Sequence, residues 1–179
     1  MAQRYPDFAV KLADPLVVNG DDSATIVATT LVREVRATIE NASVNDPKII
    51  VIDHGSPRVK VTGVRNRIAS AVQAILGEDA SKPVMAASME RRKGDVYAFN
   101  EPLLETALDQ LAVNGAKEVV IALQFLQGGR HAGPGGDIAQ ICTEAEKRHP
   151  GLRTFVTRPL VGAPEIVELL SRRYGEAVR

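Results

Sequence analysis

Apolar positions along the chain change period several times, and each change marks an element. Residues 48–53 (KIIVID) form a short unbroken apolar run rich in β-branched side chains, the pattern of a parallel strand buried on both faces. Over residues 62–76 the period lengthens to that of a helix, with Val64, Ile68, Val72, Ile75 and Leu76 on one stripe and Gly77 as its stop. Residues 83–89 (PVMAASM) read as a second strand. Asn100 then stands where it would cap a helix with Pro102 in its first turn and Leu104, Ala107, Leu108 and Leu111 on one face, ending at Asn114-Gly115. Residues 118–126 (EVVIALQFL) give a third strand. Asp137 can cap a helix reaching Arg148, which His149-Pro150-Gly151 breaks. Residues 152–156 are a fourth strand, and Pro164 opens a last helix carrying Ile166, Val167, Leu169 and Leu170. This alternation predicts an α/β fold, a three-layer αβα sandwich with a mainly parallel four-stranded sheet and right-handed crossovers. Ligands of such sheets sit beyond the carboxyl ends of the strands.

The first 47 residues add an internal repeat. Residues 3–17 (QRYPDFAVKLADPLV) align without gaps with residues 147–161 (KRHPGLRTFVTRPLV), and Arg, Pro, Pro, Leu and Val coincide. A helical stripe follows in both places, beginning in the first with Val27, Leu31 and Val35. Two matching tails around one complete body point to a duplicated protein. The expected division is a strand–helix appendage over residues 1–47, the end of a preceding repeat, and a complete domain over residues 48–179.

Composition narrows the function. Lys+Arg and Asp+Glu both number 22, so no excess of cations is available for a nucleic-acid backbone, and the absence of Trp leaves little for stacking on bases. Arg4, Asp7, Lys11 and Asp14 interrupt the N-terminal stretch, which reads as neither a signal peptide nor a membrane span. The single cysteine, Cys142, cannot form an internal disulfide, so a reducing cytoplasm is expected. It lies one position from the stripe of Ile138, Ile141 and Ala145 and reads as a buried structural thiol.

Chemistry concentrates after the strands. The segment DHGSP (residues 53–57) puts His54 on a turn at the end of the first strand, and His131 occupies the matching place after the third. Of the three histidines, His149 alone lies elsewhere, in a polar turn where solvation is expected. Two neutral imidazoles across one cleft can ligate a divalent transition metal or accept protons from a substrate. A histidine at such a place also suits capping its own turn. Glu90, at the end of the second strand, is the best-placed third ligand, and equally fits the solvated surface of ERRKGD. Arg58, Lys60, Arg91, Arg92, Lys93 and Arg130 stand near the same strand ends, where as a group they would suit a ligand with several carboxylates.

The loop FLQGGRHAGPGG (residues 125–136) admits a phosphate cradle or a flexible mount for His131. It lacks the Lys-Ser/Thr ending of a phosphate loop, and Pro134 removes one N–H donor. The mount is the better reading, with Gly128 and Gly129 letting a flat ligand approach the backbone.

In their order and spacing, DHGSP, SMER, YAFNEPLLETAL, FLQGGRHAGPGGDI and the RPLVG tail resemble the sirohydrochlorin chelatase family, the class II chelatases of sirohaem and cobalamin synthesis. The resemblance runs from about residue 49 to residue 173 and implies insertion of Co2+ or Fe2+ into sirohydrochlorin or a related tetrapyrrole without ATP. It implies that His54 and His131 bind the incoming metal and accept pyrrole protons, with Glu90 as third ligand or acceptor. Ser56, Arg58, Arg91, Arg130, Gly128 and Gly129 become the expected contacts to the macrocycle. The metal is then a substrate, with no cofactor permanently bound and neither nucleic acid nor membrane as partner. A homodimer, two chains pairing to replace a missing half, is compatible with this reading. Two departures stand out: the spacer RRKGDVYAFN between Glu90 and Glu101-Pro102, and AGPGG after His131. The alternatives are a non-catalytic module that binds metal or tetrapyrrole, and a flavodoxin-like phosphate or nucleotide binder.

Overall fold

The structure is a computed structural model that describes residues 10–77 and 83–179. Helix α1 (Ser23–Ala42) precedes strand β1 (Lys48–Asp53), helix α2 (Val59–Leu76) and strand β2 (Met85–Ser88). A 3-10 segment over Asp95–Asn100 leads into helix α3 (Leu104–Val113) and strand β3 (Glu118–Leu123). A single helical turn, α4 (Gly129–Ala132), is followed by α5 (Asp137–Arg148), β4 (Arg153–Val156) and α6 (Pro164–Val178). The four strands form one parallel sheet in the order β2-β1-β3-β4, with Asp53 beside Ser88 and Ile52 beside Leu123.

Successive residues of a strand face opposite ways, and the two cores follow that alternation. Val51, Val120 and Ala122 pack with Val27, Leu31, Val35, Ile68, Val72 and Ile166 beneath α1, α2 and α6. Ile50, Ile52, Val119, Ile121 and Leu123 pack with Leu104, Leu108, Ile138 and Cys142 beneath α3 and α5. The sheet is therefore covered on both faces, as its unbroken apolar strands require. Each fully buried aliphatic side chain contributes roughly 1.5–3 kcal/mol relative to an exposed one.

Helix α1 ends where Ser43 takes a left-handed conformation (φ 50°), its N–H bonded to Glu40 O at 3.2 Å and that of Val44 to Ile39 O at 3.0 Å. The chain before α1 is tied to α6 by the buried guanidinium of Arg173, which donates to Pro15 O at 3.1 Å and to Asp21 Oδ2 at 2.5 Å. That pairing holds the Asp21 carboxyl well below the usual carboxylate range. Residues 10–22 contain no strand, and residues 3–9 of the sequence repeat lie outside the described residues. No helix among the described residues is long and apolar enough to cross a membrane.

Expectations for helix starts needed correcting in three places, and the third strand ends at Leu123 instead of residue 126. Helix α2 begins at Val59, one turn before the apolar stripe, because the first turn Val59–Val61 is exposed and carries no core signal. Asn100 does not cap α3: Leu103 occupies that position, while Asn100 closes the 3-10 segment with its side chain fully buried. Asp137 is the first residue of α5 and Gly136 the cap.

Candidate active site

The strand order reverses direction between β1 and β3, leaving a crevice at their carboxyl ends where neighbouring connections depart to opposite faces. His54 follows β1 and His131 follows the β3 loop, so the topology brings to one crevice two side chains far apart in sequence. Their ring centroids are 4.8 Å apart, with the planes at 78°. Glu90, beyond β2 on the other flank of β1, approaches from the side, its Oε1 3.6 Å from His54 Nε2.

Hydrogen bonding sets which nitrogen of each ring is free. His54 Nδ1 faces Gly55 O at 3.3 Å, and His131 Nδ1 faces Asp137 Oδ2 at 2.5 Å. Carbonyl and carboxylate oxygens only accept, so a neutral ring bonded to them through Nδ1 carries its proton there and keeps the Nε2 lone pair. That is the ring state in which imidazole binds a metal or takes up a proton. Two ligands each about 2.1 Å from one ion, subtending a tetrahedral or trigonal angle, stand about 3.4–3.6 Å apart. The His54–Glu90 separation falls in that range. The set is open, however: among the described residues no three His, Cys, Asp or Glu side chains converge into a ready-made metal cage.

The turn carrying His54 is held from several sides. Glu90 N donates to His54 O at 3.1 Å, and Met89 N to Asp53 O at 2.8 Å, extending the β1–β2 pairing past the strands. Gly55 adopts φ +91°, and a Cβ built there would lie 1.9 Å from Glu90 O, so close approach requires glycine at this position. Beneath the turn lies a buried polar cluster. Asp53 Oδ1 accepts from Gly55 N at 3.0 Å and from Ser88 Oγ at 2.7 Å, while Arg65 Nη1 donates to Ser88 Oγ at 2.5 Å and to Asn100 O at 3.0 Å. Asp53 Oδ2 is buried without a hydrogen-bond partner among the described residues. Burial raises the Asp53 carboxyl above its ordinary pKa, although Ser88 and Arg65 act in the opposite direction, and burial lowers that of the Arg65 guanidinium.

The loop carrying His131 folds closely on itself. Residues 129–132 form a turn of helix, with Ala132 N bonded to Gly128 O at 2.9 Å and Gly133 N to Gly129 O at 3.1 Å. Built Cβ atoms at Gly133 and Gly136 would meet Gly129 O and Arg130 O, each at 2.4 Å. The glycines thus serve a tight fold of the loop on itself. Asp137 closes it by turning its carboxylate to His131.

The remaining site candidates divide. Arg58 and Arg130 are exposed at the crevice, and Arg130 Nε lies 3.9 Å from Asp137 Oδ2. Arg91 is committed to its own loop, donating to Glu101 Oε1 at 2.5 Å and to the carbonyls of Arg92 and Gly94. Ser56 Oγ accepts from Arg58 N at 3.1 Å and so helps to shape the turn. Gly129 has φ +52° with open space where a side chain would project, and Gly128 lies against Gly133. His149 is not simply solvated: its Nε2 pairs with Asp109 Oδ1 at 2.7 Å, on a surface shared with Arg148. Three residues important to this geometry carry no isolated sequence signal. Asp137 looked like a cap and Asn100 like the start of a helix, while Arg65 stands between Val64 and Ile68 of the apolar stripe with nothing to mark it.

A cavity of about 870 Å3 opens at the same end of the sheet, over the face covered by α1 and α2. Leu16, Val17, Val61, Val64, Leu126 and Leu160 supply apolar walls, while Lys60, Arg67 and Gln124 supply polar groups.

Comparison with known proteins places these features in context. A family model described as CbiX matches residues 48–177. No curated protein gives a significant match to the chain. Among solved structures, the fold is similar to that of SirB from Bacillus subtilis with Fe3+, at a TM-score of 0.64 and 16% identity, covering 98% of this chain and 61% of that one. It is also similar to the sirohydrochlorin chelatase SirB from Bacillus subtilis subspecies spizizenii in complex with cobalt, at a TM-score of 0.58 and 14% identity, covering 98% of this chain and 58% of that one. The chain spans less than two thirds of the length of either structure.

Proposed function

The chain belongs to the CbiX family, and on that premise we propose that it inserts a divalent metal, Co2+ or Fe2+, into sirohydrochlorin or a related tetrapyrrole without ATP. The observation that carries the reading is the pair of imidazoles, His54 and His131, 4.8 Å apart at the crevice with both Nδ1 atoms turned onto oxygen acceptors. A dication enters the macrocycle as two pyrrole protons leave, so the site must first bind a cation and then take up protons. His54 with Glu90, and His131 with Asp137, are two base–carboxylate pairs suited to that exchange. An imidazole receiving a proton at Nε2 becomes cationic beside a carboxylate, which offsets its new charge. On this reading the metal is a substrate in transit.

The macrocycle would lie across the crevice, with its apolar edge toward the cavity lined by Val61, Val64 and Leu126. Its carboxylates would meet Arg58, Lys60 and Arg130, while Ser56, Gly128 and Gly129 present backbone close to the ring. Arg91 would stiffen the loop after Glu90 instead of binding substrate, because its donors are already engaged. A phosphate at the glycine loop is disfavoured by the Asp137 carboxylate, whose negative charge stands beside it paired with His131.

The test is to mix purified protein with sirohydrochlorin and Co2+ or Fe2+ and follow the macrocycle absorbance. Insertion above the spontaneous rate is expected, and it should collapse in His54→Ala and His131→Ala. A rate unchanged by both substitutions would overturn the assignment. One observation favours a second reading: the chain spans under two thirds of the chelatase structures it resembles. A non-catalytic module that binds metal or tetrapyrrole would then show tight macrocycle binding without turnover.

A further inference from the structure

The turn that presents His54 is braced by a side chain from a distant loop. Asn100 is fully buried and uses its whole amide on two neighbouring segments. Its Oδ1 accepts from Ser56 N at 2.9 Å and from Thr62 Oγ1 at 3.3 Å. Its Nδ2 donates to Ser56 O and to Tyr97 O, both at 3.0 Å. One amide therefore satisfies both backbone groups of Ser56, as a neighbouring strand would, at a point where β1 has ended and no strand pairs with it.

Because Met89 N holds Asp53 O and Glu90 N holds His54 O, the backbone is fixed on each side of the His54 Cα. We propose that Asn100 is a positioning residue that directs the His54 imidazole to the incoming metal by bracketing the backbone of Ser56. Asn100 touches neither metal nor macrocycle; it acts through the turn. Outer residues that orient a metal-binding histidine typically contribute 10–100-fold to affinity. The remaining contacts of the turn leave its far side to Asn100 alone among the described residues. The proposal rests on the chelatase reading for its consequence, but its structural claim can be tested separately.

Asn100→Asp keeps the shape and the acceptor but loses the two donors, Asn100→Ala removes the amide, and Thr62→Val removes one bond while leaving Ser56 bracketed. Titration with Co2+ alone, followed by its visible absorption, should show binding weakened about tenfold or more in both Asn100 variants. The Thr62 variant should lower the melting temperature with Co2+ affinity unchanged. Ring NMR signals of His54 should shift in the Asn100 variants, while those of His149, held by Asp109, stay in place. Folded Asn100 variants with wild-type Co2+ affinity and unmoved His54 signals would overturn the proposal, as would losses that merely track melting temperature across all three variants. If the Asn100 variants do not fold, amide exchange in the wild-type protein decides: protection of Ser56 N–H like that of Ser88 supports the bracket, and open-loop exchange refutes it. If wild-type protein shows no His54-dependent Co2+ binding, the chelatase reading falls and the His54 ring signals alone decide the role of Asn100.

Discussion

His54 stands on a turn whose backbone is bonded by Met89 and Glu90, just past β2, and by Asn100 from the segment before α3, whereas His131 stands on one turn of helix closed by its own glycines and by Asp137. The first arrangement is tertiary: Glu90, Asn100 and the cluster of Asp53, Ser88 and Arg65 come from separate parts of the chain. The second is local, since its closing contacts lie within residues 128–137. A locally closed loop can change length without disturbing the sheet, which accounts for how AGPGG is accommodated after His131. A turn built from three elements has no such freedom. One imidazole is therefore placed by the fold as a whole and the other by a short stretch of sequence.

The largest effect should come from the imidazoles themselves. His54→Ala and His131→Ala are each expected to cut metal insertion about 10²–10⁴-fold, the range for removing a positioned base. Near-equal losses would show that both placements serve one step, while loss in only one variant would break the pairing.

The comparison sharpens at the glycines. Gly55→Ala drives a Cβ into Glu90 O at a left-handed φ and should destabilise the protein by about 3 kcal/mol or more, read from denaturant unfolding. Gly129→Ala meets open space at φ +52° and should cost only about 1–2 kcal/mol. Equal costs would erase the distinction between tertiary and local support.

The His131 side rests on α5, and there pH supplies a probe. Burial pushes the Cys142 thiol up from 9.0 to about 11. A folded pKa above the unfolded one contributes stability that is complete below pH 9 and is lost as pH rises through about 11. The loss should approach roughly 2–3 kcal/mol, should vanish in Cys142→Ala, and should be accompanied by resistance of the native thiol to modification at pH 8. Smallest is Asp137→Asn: the amide oxygen still accepts from His131 Nδ1 but brings no charge, so Co2+ affinity should fall about tenfold with little change in melting temperature.

Elements built on apolar period were legible in the sequence, because burial on both sheet faces leaves continuous runs such as KIIVID and helical stripes such as that of α2. The two histidines were legible for a related reason: strand ends are where α/β sheets present chemistry, and both residues follow strands. What brings them together was not legible. Asp137 and Asn100 suit helix starts by residue type, but Asn100 is taken up by Ser56 and Thr62, remote in sequence, and Asp137 by His131, six residues before it. Arg65 illustrates the same limit, since nothing in VRNRIAS separates the buried guanidinium of Arg65 from the half-buried one of Arg67. The close folding of the glycine loop was hidden because glycine serves both looseness and close contact, and only the backbone lying against Gly133 and Gly136 distinguishes the two.

Helix α1 has a consequence for how this protein can be divided. The family match begins at residue 48, yet Val27, Ala28, Leu31, Val32 and Val35 lie fully or almost fully buried against the same face of the sheet as α2 and α6. A piece cut at the family boundary would lose these side chains and bare the face of the sheet and of α2 that they cover. The smallest transplantable unit of this chain therefore starts before α1, and the seam along which such a gene can be spliced is set by the core instead of by the motif.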